Sequence, residues 1–196
     1  MMARWATLGS VCLLAMTGPT AAAPDGHRHH AHVHGLWQMF AAMDDNRLSI
    51  TVEGPLVDLL GYEHVPETKE ERAALSRLKE ALATPMVELD DQASCGLTDE
   101  IDVQWPDGFE DGAADRGNDH DHMGDDNGHD RERDGHTGDL ALTYRFRCGS
   151  PETLGWIRYT GFASYPAVQD VEAVFVGDQG QNAARLSPST PKLSIH

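Results

Sequence analysis

Residues 107–139 constrain this chain more than any other stretch. They read DGFEDGAADRGNDHDHMGDDNGHDRERDGHTGD, with His120, His122, His129 and His136 set among Asp, Glu and Gly. Almost nothing between Phe109 and Leu140 is apolar, so burial there cannot offset the entropy cost of ordering the backbone. The stretch is nevertheless internal. Strand-like sequence flanks it on both sides, and a cysteine lies in each flank, Cys95 before and Cys148 after. The expectation is therefore a folded domain, residues 23–196, interrupted by a disordered acidic His-rich insert at 107–139. Imidazoles and carboxylates in that density point to divalent metal ions as the partner.

Charge narrows the partners further. Fifteen Lys and Arg stand against 32 Asp and Glu, a formal net charge of -17. That balance excludes nucleic acid and anionic membrane surfaces as partners and favours cations or a basic protein. At the N-terminus, Arg4 precedes the apolar residues 5–16 and then small residues Thr20, Ala21, Ala22 and Ala23. This is the order of a secretory signal peptide, residues 1–22, too short to span a bilayer. Cleavage removes Cys12, and no later stretch is long and apolar enough to insert into a membrane. Cys95 and Cys148 are then an even pair in an oxidising compartment, where a disulfide is the expected state.

The remaining sequence reads as α+β, mostly antiparallel sheet. Residues 36–43 can begin a strand, and RLSITVE at 47–53 alternates Leu48, Ile50 and Val52 with polar neighbours. Asp44, Asp45 and Asn46 between them make a hairpin. Residues 56–60 allow one helical turn stopped by Gly61. A helix follows over residues 69–83, with Thr68 and Glu71 as a capping box and Leu75, Leu78 and Leu82 on one face. Further strands are expected at 86–89, 97–105, 140–148, 156–162, 171–176, 183–186 and 192–195. Strand, Gly, Pro and then Leu-Gly recur at 49–61 and 143–155, an echo that would imply two similar lobes if it reflects a repeat.

Metal-binding geometry is expected outside the insert. His32 and His34 are one residue apart, which in an extended chain puts both rings on one face, about 7 Å apart at Cα. Two imidazoles so placed can share a divalent ion, and a tetrahedral zinc site needs one or two more N or O ligands. His64, the one histidine between the lead-in and the insert, is the candidate third ligand, with Glu63 beside it. The insert histidines have the chemistry but irregular spacing, so they suit loose, fast-exchanging binding. Calcium is disfavoured: the loop starting at Asp130 has Ala141 where a bidentate Glu belongs. No HExxH, GxSxG or P-loop is present, and no nucleophile has a base, so an enzyme is not expected.

Taken in order, several stretches resemble the ZrgA-type family of periplasmic zinc-binding proteins. They are His32 to Gly35, GPLVDLLGYEH at 54–64 leading into a charged helix, and the acidic insert between Cys95 and Cys148. YPAVQDVEAVFV at 165–176, Gly180-Gln181, Leu186-Ser187-Pro188 and the final Leu-Ser-Ile continue the likeness. The resemblance implies an exported protein that binds Zn²⁺ and assists a zinc importer or its solute-binding protein. It implies zinc-ligand roles for His32, His34 and His64, and a collecting role for His120, His122, His129 and His136. Two rival readings come from the residues: buffering of or tolerance to copper or nickel, and an acidic interaction module without a specific metal.

Overall fold

A hairpin starts the described fold. Strands β1 (Leu36–Asp44) and β2 (Arg47–Pro55) pair antiparallel, Asp44 opposite Arg47, with Asp45 and Asn46 as the two-residue turn. The computed structural model describes residues 33–110, 138–178 and 180–195. His32, the signal-peptide residues, and His120, His122, His129 and His136 lie outside the described residues.

Period-two patterning sets which face of the hairpin is buried. Trp37, Met39, Ala41 and Met43 of β1, and Leu48, Ile50 and Val52 of β2, point into the core. β2 then continues antiparallel onto β6 (Asp139–Cys148), whose Leu140, Leu142, Tyr144 and Phe146 share the same face. On the other side, β1 pairs in parallel with β8 (Asp170–Gly177), and β8 pairs antiparallel with β9 (Gly180–Leu186). With β4 (Cys95–Leu97) and β5 (Asp102–Gln104) both on β6, the sheet order is β4-β6-β2-β1-β8-β9. The two stretches that echo each other in sequence meet only where Ser49, Ile50 and Thr51 stand opposite Arg145, Tyr144 and Thr143, and the antiparallel pairing sends their Gly-Pro ends to opposite ends of the strands.

A second sheet, β10-β7-β3, is built from β3 (Val87–Leu89), β7 (Trp156–Tyr159) and β10 (Lys192–Ser194). Its Val87, Ile157, Tyr159 and Leu193 belong to the same buried cluster as the inner face of the large sheet. Helix α2 (Lys69–Ala81) adds Leu75, Leu78 and, from its C-cap, Leu82 to that core. Its start is the expected capping box: the Thr68 hydroxyl accepts from Glu71 N, and the Glu71 carboxylate accepts from Thr68 N.

Four details differ from the sequence reading. The strand expected at 97–105 is two short ones, β4 (Cys95–Leu97) and β5 (Asp102–Gln104), which pair with different parts of β6. The strand at 156–162 stops at Tyr159, because Val87 of β3 and Lys192 of β10 are the last partners available there. β9 is seven residues long rather than a short closing strand, since it follows β8 over its whole length. The folded chain also reaches further into the acidic stretch than its composition suggests. Phe109 is buried, the Glu110 carbonyl accepts from Lys79 Nζ at 2.7 Å, and the Gly138 carbonyl accepts from Leu56 N at 2.9 Å.

Cys95 and Cys148 stand opposite each other on β4 and β6 and form a disulfide spanning 53 residues. Among the described residues, no helix is long and apolar enough to cross a membrane.

Candidate metal site

The order Gly-Pro, one helical turn, Gly-Tyr-Glu-His presents side chains at one end of the large sheet. At Gly54 the chain passes flat against the Trp37 indole, where any Cβ would overlap the ring. Pro55 is the last residue of β2, and α1 (Val57–Leu60) follows as a single turn closed by Gly61. Asp58 on that turn reaches back to the start of β1. Its Oδ2 accepts hydrogen bonds from the Gly35 backbone N–H at 2.9 Å and from Trp37 Nε1 at 3.0 Å.

Gly35 is where the backbone geometry matters. Residues 33–36 make a turn closed by Leu36 N donating to Val33 O at 3.0 Å, with Gly35 at φ 79° in its third position. That position of a type II turn demands a positive φ, which glycine adopts without a steric cost. His34 therefore occupies the corner of a tight turn, held from below by Asp58. This is the physical content of the His-Gly pair.

The structure gives His34 and His64 different carboxylate neighbours. His34 lies between two carboxylates: its Nε2 is 3.7 Å from Glu63 Oε1 and its Nδ1 is 3.9 Å from Asp58 Oδ1. His64, in contrast, faces Glu71, with Nε2 3.8 Å from Glu71 Oε1. Its Nδ1 is 3.1 Å from the Val65 carbonyl, and its ring stacks on Tyr62 at 5.2 Å between centroids. A hydrogen bond from Nδ1 to that carbonyl leaves the Nε2 lone pair available. Glu71 is fixed because its other oxygen accepts from Glu67 N and Thr68 N. Those backbone donors, Thr68 first, hold the Glu71 carboxyl below the usual carboxylate range, with His64 a lesser cause.

The distances fit an ion pair and a pair of metal co-ligands alike. Separations of 3.7 and 3.8 Å exceed a hydrogen bond. Two ligands about 2.1 Å from a tetrahedral zinc ion stand roughly 3.4 Å apart, so each His–Glu pair needs only a few tenths of an ångström to close on an ion. The donor set, imidazole with carboxylate, is one that zinc accepts. Each pair supplies two ligands, and among the described residues no group of three or more His, Cys, Asp or Glu is arranged to hold a metal. Sequence reasoning missed Asp58 and Glu71. Glu71 was legible as a cap; Asp58 had no signal beyond its place in a helical turn.

Beside His64 runs a cleft of about 420 Å³, walled by Pro55, Leu56, Tyr62, Val65 and Phe109 and by Gly138. Its walls are mainly apolar, with Glu63, His64 and Asp107 as the polar groups at its edge.

No curated protein matches the chain significantly. Residues 31–195 match the family described as ZrgA family zinc uptake protein, a span that includes the His34 turn, both His–Glu pairs and the disulfide. With that match over most of its length, the chain belongs to the ZrgA family of zinc uptake proteins.

Proposed function

We propose that this is an exported zinc-binding protein that collects Zn²⁺ in the periplasm and passes it to a zinc importer or to the importer's solute-binding protein, with no turnover of its own. The observation that carries the reading is the His34–Glu63 pair. Both side chains are largely exposed, 64 and 70 %, and lie at co-ligand distance, His34 in the turn before β1 and Glu63 in the loop after α1. His32, two residues before His34, is the third ligand this reading requires. His64 with Glu71 forms a second, separate pair. His120, His122, His129 and His136 act as loose collectors, raising the local concentration of an ion that the carboxylates around them attract.

Incomplete coordination suits a carrier that must release its cargo. Two or three protein ligands plus water hold zinc less firmly than a closed four-ligand structural site, and leave positions through which a partner can take the ion. The disulfide also bears on metal choice. It withholds both cysteines of the folded domain from coordination, leaving N and O donors that suit divalent ions better than Cu(I).

Isothermal titration of the mature protein with Zn²⁺, alongside Cu²⁺ and Ni²⁺, tests the proposal. Binding tighter than millimolar at neutral pH, reduced by His34→Ala, is expected. No such binding ends the reading. A deletion strain should then grow poorly in chelator; sensitivity to excess metal instead would favour a tolerance role.

A further inference from the structure

Asp58 is the most buried carboxylate near the metal pair, its side chain 5 % exposed, and nothing in the binding chemistry so far uses it. Two arrangements compete. Asp58 is either a third ligand beside Glu63, or the group that orients His34. The imidazole decides between them. Glu63 Oε1 approaches Nε2, whereas Asp58 Oδ1 lies on the Nδ1 side of the same ring. The two nitrogens point away from each other, so one ion bound to the ring cannot meet both carboxylates through it.

The surroundings say which nitrogen takes the ion. Glu63 is open to water, so an incoming hydrated ion can shed its waters there one at a time. Asp58 is enclosed, and its Oδ2 already accepts from Gly35 N and Trp37 Nε1. Its Oδ1 is therefore placed to accept a proton-bearing nitrogen. A carboxylate on the far nitrogen of a metal-binding histidine fixes the tautomer and raises the basicity of the ligating nitrogen.

We propose that Asp58 is a positioning residue for zinc: it accepts the Nδ1–H of His34, so that Nε2 presents its lone pair to an ion shared with Glu63. The 3.9 Å separation closes to a hydrogen bond by a small rotation of the exposed ring. The same carboxylate ties the turn at Gly35 to α1, and Trp37 carries its position into the core. Gly54, Trp37, Asp58 and His34 thus form one mechanical chain. This inference rests on the zinc reading of His34 and deepens it.

The test uses the full mature chain and Zn²⁺ competed against a chromophoric chelator, with His34→Ala, Asp58→Asn and Tyr144→Phe compared. Asp58→Asn keeps an oxygen to accept from Gly35 and Trp37 but lacks the charge. It is expected to weaken the His34-dependent step 10- to 100-fold. Tyr144→Phe leaves the buried Met86 N–H without its acceptor but keeps the hydrogen bonds to Asp58, and is expected to lower stability with zinc affinity within about threefold. Nitrogen-15 NMR of the zinc-bound wild type should show His34 protonated at Nδ1 and metallated at Nε2, a signature a purely structural role would not produce. If His34→Ala binds zinc like wild type, the zinc reading of this pair fails. If only Asp58→Asn is silent, the positioning role fails and the zinc reading stands. Metallation at Nδ1, or equal weakening by Tyr144→Phe, also overturns the positioning role.

Discussion

Gly54 has no side chain to offer the metal pair, yet it sets the position of the residues that do. A methyl group at this position would overlap the buried Trp37 ring, whose Nε1 holds Asp58 beneath His34. Gly54→Ala therefore overpacks a closed core, and the expected cost is about 1–3 kcal/mol. Urea denaturation with an unchanged m-value measures it; a midpoint identical to wild type would mean the ring has room to move and the mechanical link to Asp58 is not there. At this scale the sequence was half legible. The sequence singled out His34 and Glu63, and the fold sets these two side chains beside each other. The partner of that imidazole was harder to read. His64 and Glu63 are adjacent in sequence, but adjacent side chains diverge, so Glu63 meets His34 while His64 meets Glu71. A linear spacing cannot report that divergence, nor the reach of Asp58 across 21 residues to Trp37.

Among the elements, β6 joins the two sheets through one phenol. Tyr144 points into the core from β6, and its hydroxyl accepts the backbone N–H of Met86 at 3.2 Å, just before β3 begins. Tyr144→Phe would leave that buried N–H without its acceptor, at a cost of about 1–3 kcal/mol. Burial also raises the Tyr144 hydroxyl to about 12. Its protonated form is thus favoured by folding. The stability this provides is complete below about pH 10, the unfolded value, and is lost as pH rises toward the folded one. Wild-type stability should fall above about pH 10, and Tyr144→Phe should show a shallower fall across pH 10–12 from a lower starting point. Equal slopes in urea unfolding at pH 9 and 11 would contradict this role. Tyr159, Tyr165 and Tyr62, raised by burial in the same way, add to the alkaline slope. The elements were far more legible than the site, because alternation and caps are local signals: Leu140, Leu142, Tyr144 and Phe146, or Thr68 with Glu71, announce themselves over a few residues. The parallel pairing of β1 with β8 was not, since no turn joins strands more than a hundred residues apart.

For the whole molecule, β6 also separates the disulfide from the proposed metal pair. Its first residue, Asp139, pairs with Pro55, next to α1 and the His34 turn; its last, Cys148, pairs with Cys95 and carries the disulfide. Nine residue steps of strand put these ends about 30 Å apart. The bridge closes a 53-residue span that includes the acidic stretch. In the loop-entropy model a closure of that size is worth about 4 kcal/mol, acting mainly on the unfolded chain. Breaking it should therefore shift the folding equilibrium while leaving the folded metal pair as it was. The double replacement Cys95→Ser, Cys148→Ser is expected to lower the free energy of unfolding by about 2–4 kcal/mol, because measured bridges often deliver less than the model. Zinc affinity, measured well below the variant's unfolding midpoint, should stay within twofold of wild type. The separation also fixes how failure would look. If the bridge-free chain stays folded by circular dichroism yet binds zinc much more weakly, the two ends of β6 are coupled, and the sheet transmits the disulfide to the site instead of insulating it.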